Sequence, residues 1–112
     1  MDDIIKNAVT PVEPICVPNV YAGESEEYCV YNYTEIPENF GDDAPQAKRY
    51  LVQLHWFYPF VQGISATPEK KTKRRALQQA LFDAGTTWPS VTPAGDSSLE
   101  HYVFECEYAG EV

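Results

Sequence analysis

The chain has 112 residues, with 17 Asp and Glu against 8 Lys and Arg and a formal net charge of -9. That length holds one domain, residues 1–112, large enough to bury an ordinary core without metal or disulfide staples. A hydrophobic content of 44% and an aromatic content of 13% exclude a disordered chain, and a sequence pI near 4.5 opposes binding to nucleic-acid phosphates.

No apolar run reaches the ~18 residues a membrane span needs; residues 50–61 are interrupted by Gln53, His55 and Pro59. The start Met1-Asp2-Asp3 lacks the basic and apolar regions of a secretory leader, so the expected setting is a cytoplasm, with no membrane partner. Cys16, Cys29 and Cys106 are odd in number and have no C-x-x-C spacing. They read as buried small hydrophobes kept reduced.

The first element is a helix over Asp2–Val9. Asp2 and Asp3 suit its positive N-terminal end, and Ile4, Ile5, Ala8 and Val9 form its apolar stripe. Eight residues are too few for a helix to stand alone, so it must pack on something. Pro11, Pro14 and Pro18 make residues 10–20 an extended connector, with a turn over residues 21–25.

Residues 27–36 alternate as a strand with apolar groups on both faces, ended by Pro37. The polar stretch 37–49, with Gly41, Asp42, Asp43 and Pro45, reads as a long exposed loop. Residues 50–58 are the strongest strand: Tyr50, Val52, Leu54, Trp56 and Tyr58 share one face, and Leu51, Gln53, His55 and Phe57 the other. This is the expected central strand. Residues 60–66 read as a second loop.

Thr67-Pro68-Glu69 is a helix start, and Gly85 is a left-handed stop after Ala84. Leu77, Ala80, Leu81 and Ala84, widened by Ala76, supply the buried stripe of this helix. A short strand within residues 88–92, a turn at 93–96 and a last strand over 99–108 complete the chain. Tyr102, Phe104, Cys106 and Tyr108 share one face of that last strand. The fold class is α+β: an antiparallel sheet packed on one face by a helix from the C-terminal half and a short N-terminal helix, with long loops.

The chemistry-bearing patterns are sparse. His55 and His101 fall on the less apolar faces of two strands and become neighbours if those strands pair. Zinc held by them with Cys16 or Cys29 has no support in the spacing, so they read as locally bonded surface histidines. Carboxylate pairs occur at Asp2/Asp3, Glu26/Glu27, Asp42/Asp43 and Glu105/Glu107, as an acidic chain makes inevitable. No nucleophile elbow or phosphate-binding glycine loop is present, so no catalytic, cofactor or metal residues are expected.

The basic cluster is more informative. Lys70, Lys71, Lys73, Arg74 and Arg75 carry five of the 8 positive charges, and the rest of the chain carries -14. They occupy the first half of a helix, where the dipole disfavours cations. A solvated helix face explains this, but so does contact with an acidic surface of a second copy. Such head-to-tail contact closes into a ring if the rotation permits. The eight tyrosines also suit interfaces, where ring and hydroxyl are both satisfied.

Several segments then appear in a familiar order: Val20-Tyr21-Ala22-Gly23-Glu24, Tyr31-Asn32-Tyr33-Thr34-Glu35, Asp42-Asp43 and Val52-Gln53-Leu54-His55-Trp56-Phe57. Lys73-Arg74-Arg75-Ala76-Leu77, Ala84-Gly85 and His101-Tyr102-Val103-Phe104-Glu105-Cys106-Glu107-Tyr108 follow. This order resembles the tail completion proteins of long-tailed bacteriophages, the tail-to-head joining or tail terminator group, over residues 1–108. Where that group commonly has an aromatic directly after Ala-Gly, this chain has Thr86-Thr87-Trp88.

The resemblance implies a structural virion protein without enzymatic activity, assembled in the host cytoplasm and located in the tail or neck. It implies a homo-oligomeric ring, six-membered in that group, that terminates the tail tube and docks onto the head–tail connector. Its partners would be the major tail tube protein and the connector or stopper protein, with DNA passing through the lumen without specific binding. A compact domain of this size has a radius of gyration of about 13 Å, so six such spheres leave a central hole near ~34 Å across.

Within that frame Lys70, Lys71, Lys73, Arg74 and Arg75 are candidates for the subunit or connector interface. Phe40, Asp42 and Asp43 in the first loop and Phe60 and Ile64 in the second are candidates for protruding contacts. The alternative is an acidic DNA mimic that inhibits a nucleic-acid-binding host protein, supported by the charge of -9. An enzyme with a His or Cys site and a plain monomeric module are the remaining readings.

Overall fold

A computed structural model describes residues 2–24, 27–41, 44–59, 68–94 and 99–111. Helix α1 spans Asp2–Val9 and helix α2 Pro68–Asp83. The strands are β1 (Cys16–Pro18), β2 (Tyr28–Gly41), β3 (Ala44–Pro59), β4 (Ser90–Pro93) and β5 (Leu99–Glu111). They form one sheet in the order β1-β2-β3-β5-β4, antiparallel except for the β1–β2 pair. The expected α+β architecture is observed.

The central position of β3 follows from its sequence, since only a strand paired on both edges can bury so many apolar residues. Cys29 faces Trp56 and Tyr31 faces Leu54 across the β2 ladder; Tyr102 and Phe104 face the same two residues across β5. Alternation therefore stacks Cys29, Tyr31, Val52, Leu54, Trp56, Phe104 and Cys106 on one face. That face joins Ile5 and Val9 of α1 and Leu77 and Leu81 of α2 in one buried cluster. Ala76 and Ala80 on α2, and Ala84 just after it, are half-buried around it. Among the described residues, no helix lies on the opposite face of the sheet.

The ends of α2 and α1 are held as local chemistry dictates. Gly85 takes a φ of 108°, and the amides of Gly85 and Thr86 bond back to the carbonyls of Phe82 and Leu81 at 3.0 and 3.3 Å. This is a Schellman stop. At the start of α1 the Asp2 carboxylate accepts hydrogen bonds from the Tyr31 and Tyr33 hydroxyls at 2.7 and 3.0 Å. Those bonds tie the short helix to β2 and hold the Asp2 carboxyl below its usual value.

Three expectations are corrected. The stretch 37–49 is not a loop: β2 continues through Pro37 to Gly41 and β3 begins at Ala44, with Pro37 opposite Lys48 and Phe40 opposite Pro45. Proline is tolerated there because β1 covers only Cys29–Tyr31, which leaves the far part of β2 as an edge. Second, the connector contains the three-residue edge strand β1, parallel to β2. Third, the molecule is not a compact sphere. Its radius of gyration is 15.5 Å and its extents are 58 × 27 × 23 Å.

The elongation comes from the sheet. Among the residues whose burial is described, Val52 is the last buried one toward the hairpin, yet β3 runs on to Ala44. About eight further residues extend the ladder by roughly 26 Å. With β2 on one side and β5 through Glu111 on the other, this is a three-stranded arm. Asp42 and Asp43, and the second loop with Phe60 and Ile64, lie outside the described residues, as does the cap Thr67. No helix among the described residues is long and apolar enough to cross a membrane.

Leu77 is fully buried between α2 and the sheet. Leu77→Ala should lower the unfolding free energy by about 2–5 kcal/mol in urea denaturation, whereas exposed Lys71→Ala should change it by less than about 0.5 kcal/mol.

Candidate functional site

The five cations of α2 separate by their position on the helix. Lys73 points inward and is half-buried. Its Nζ lies 2.7 Å from Glu13 Oε2 and 2.7 Å from Glu27 Oε2. Glu27 also accepts the Trp56 indole N–H at 3.1 Å, and Lys73 sits over the Trp56 ring at 5.8 Å. Glu13 is only 4% exposed. Burial alone would lower the Lys73 ammonium, but the hydrogen bonds and attraction of the two carboxylates outweigh it and hold the value above the usual 10.5. One lysine thus ties the connector and the lead into β2 to the middle of α2.

Arg74 is half-buried and stacks over the Tyr102 ring at 5.5 Å. Arg75 is exposed and lies over Trp88 at 5.8 Å, while Trp88 meets Phe82 edge-on at 5.5 Å. Lys71 is exposed, and the side chain of Lys70 lies outside the described residues. Neither solvation nor a second copy is needed for these three: Lys73, Arg74 and Arg75 each have intramolecular partners that offset the unfavourable dipole.

What remains outward is a smaller patch of Lys71, Arg75, Phe82 and Trp88. Phe82 is 46% and Trp88 43% exposed, among the few large apolar side chains left in water. Their spacing in sequence hides them. Phe82 looks like one more apolar helix position, and Trp88 lies in an irregular stretch between the Gly85 stop and Pro89. Glu13 carried no signal either, as one acid in a proline-rich connector.

The second candidate region is the open sheet face. There Tyr28 stacks on Phe57 at 4.9 Å and Phe57 on His101 at 4.0 Å, with Tyr21 against Tyr28 at 4.4 Å. The expected neighbourhood of the two histidines is observed: His55 Nδ1 and His101 Nε2 are 2.8 Å apart. Burial lowers the His55 imidazole from its usual value, with Glu105 opposing the shift. A groove of about 400 Å³ beside the pair is lined by Asn19, Tyr21, Tyr28, Val30 and Phe57 among others.

The cysteines stand on the other side of the sheet. Cys16 and Cys29 face each other across β1 and β2, and all three cysteines are buried and free. Burial pushes the Cys16 thiol up to about 11 and raises Cys29 and Cys106 as well. They are inert thiols that cannot reach the histidines through the sheet. Among the described residues no group of three or more His, Cys, Asp or Glu side chains converges as a metal cage.

No protein-family model matches the chain, and no curated protein is similar enough to count as a relative.

Lys73→Ala should cost about 1–3 kcal/mol, because two carboxylates lose a charged donor. The wild-type contribution is complete at neutral pH and is lost as pH rises through the elevated Lys73 value, beyond the usual 10.5. Urea unfolding across alkaline pH should show this loss in the wild type and not in Lys73→Ala.

Proposed function

We propose that this chain is a structural virion subunit: a member of a six-fold ring that ends a phage tail tube and joins it to the head connector. The observation that carries the reading is the three-stranded arm of β2, β3 and β5, which continues the ladder well past the buried cluster. Its backbone ladder runs on beyond Tyr33 and Tyr50, which pack against the buried cluster. It presents strand faces and a strand edge, surfaces suited to other subunits.

The shape supports a ring with a pore. Six copies set side by side along the 27 Å dimension, with 23 Å as wall thickness, leave an opening about 30 Å wide. That is room for a duplex. The net charge of -9 per copy keeps such a wall from binding phosphate in transit. Lys71 and Arg75 are exposed cations on a strongly acidic chain, and they suit contact with the acidic flank of a neighbouring copy. The Phe82–Trp88 pair beside Arg75 supplies the aromatic and Arg character of an interface centre.

Light scattering on the purified chain should give a mass near six times 12.7 kDa. The double substitution Lys71→Glu, Arg75→Glu should yield a folded monomer. Replacing residues 38–47 by a short turn should leave the thermal transition in place and abolish tail–head joining in particle assembly. Unchanged assembly in both variants would overturn the interface roles. A DNA-competed complex with a host nuclease or polymerase would instead favour the mimic.

A further inference from the structure

Resting on the ring reading, we propose that the acidic surface met by the α2 patch is the open sheet face of the next copy, at a groove centred on Leu51 and flanked by Glu105 and Glu107. Phe82 and Trp88 form the apolar centre of the patch, with Arg75 over the Trp88 ring and Lys71 one turn before it on α2. On the open face another large apolar side chain is left in water, Leu51 at 37% exposed. Leu51 stands directly opposite Glu107, and Gln53 directly opposite Glu105, across the β3–β5 ladder. Both glutamates are exposed.

A groove of about 430 Å³ runs over these residues, with Thr34 of β2 and Ser90 of β4 also in its lining. Arg49, the next residue toward the arm on that face, is half-buried and does not line the groove. Patch and groove thus share one plan with opposite sign: an apolar centre and a charged flank. Exposed ion pairs by themselves contribute little. The apolar centres supply the buried contact, and the two cations and two carboxylates decide which surfaces meet.

Helix geometry sets the angle between the two surfaces. At 3.6 residues per turn, Lys71, Arg75 and Phe82 share one stripe of α2, centred about 120° around the helix from the stripe of Leu77 and Leu81. Lys73 and Arg74 fall on the Leu77 side, which is why their partners lie within the chain. Leu77 and Leu81 point up into the buried cluster beneath the sheet, the same direction in which the open face looks out on the far side. The outward directions of patch and groove therefore differ by about 120°. A subunit in a closed six-membered ring faces its two neighbours at about that angle, so patch-to-groove contact repeated head to tail around an axis along α2 closes near six copies.

Charge exchange on the full chain, read by light scattering, tests this. The chain with Lys71→Glu, Arg75→Glu and the chain with Glu105→Lys, Glu107→Lys should each lose the six-chain mass and run singly. Mixed in equal amounts they should recover it, because every reversed patch then meets a groove of opposite sign and the two chains alternate round the ring. The milder Glu105→Gln, Glu107→Gln chain should come apart at lower salt than the wild type. Thermal transitions followed by circular dichroism verify that each variant is folded. If the glutamate variants keep the wild-type mass and salt response, or the two reversed chains stay single when mixed, the groove is overturned and the ring reading stands with another acidic partner surface. A wild-type chain that runs singly would overturn both.

Discussion

The constraint on which the rest of this structure depends is the register of β3 between β2 and β5. Strand side chains alternate, so a slip of one residue would exchange the two faces completely. Val52, Leu54, Trp56 and Tyr58 would enter water, and Gln53, His55 and Phe57 would be forced under the helices. The register is held because the partners match it: Cys29 and Tyr31 on one flank line up with Trp56 and Leu54, and Tyr102, Phe104 and Cys106 on the other with Trp56, Leu54 and Val52. The core, the histidine pair and the straight arm are all consequences of that alignment.

Charge acts on the fold in a second, more local way. The chain is strongly acidic, yet a lysine at the inner edge of α2 meets two carboxylates and the edge of the aromatic core in one place. The Pro-rich connector has little regular structure of its own, and Glu13 within it is buried by this contact. Tyr31 and Tyr33 do the same for the start of α1 through Asp2. Both short N-terminal segments are thus pinned to the sheet by polar bonds at their ends and by Ile5, Val9 and Cys16 in the cluster.

One sheet face is covered and the other is open, and the two have different uses. The covered face builds stability. The open face keeps an aromatic ladder from Tyr21 to His101 at the end of the sheet opposite the arm. A subunit that assembles through strand surfaces needs a rigid base for them, and the central strand supplies one by running uninterrupted from the arm into the core. The basic patch left on α2 is small, because most of the cluster is spent on intramolecular contacts.

Much of the fold was legible along the chain. Both helices lie where capping residues, the Gly85 stop and apolar spacing place them, and the alternation over residues 50–58 identifies the central strand and its buried face. These features are local: each depends on residues a few positions apart. The hairpin at 37–49 was not legible, because Pro37, Gly41 and Pro45 are loop-like by local chemistry and become strand only beside an open edge. The role of Lys73 was hidden for a similar reason, since its partners Glu13 and Glu27 are 60 and 46 residues away. The sequence by itself determined which residues are helical, which strand is central and which side of it is dry. Only the tertiary structure decided how far the ladder runs, which cations stay free, and that His55 and His101 touch, because those outcomes depend on long-range pairing that no local pattern encodes.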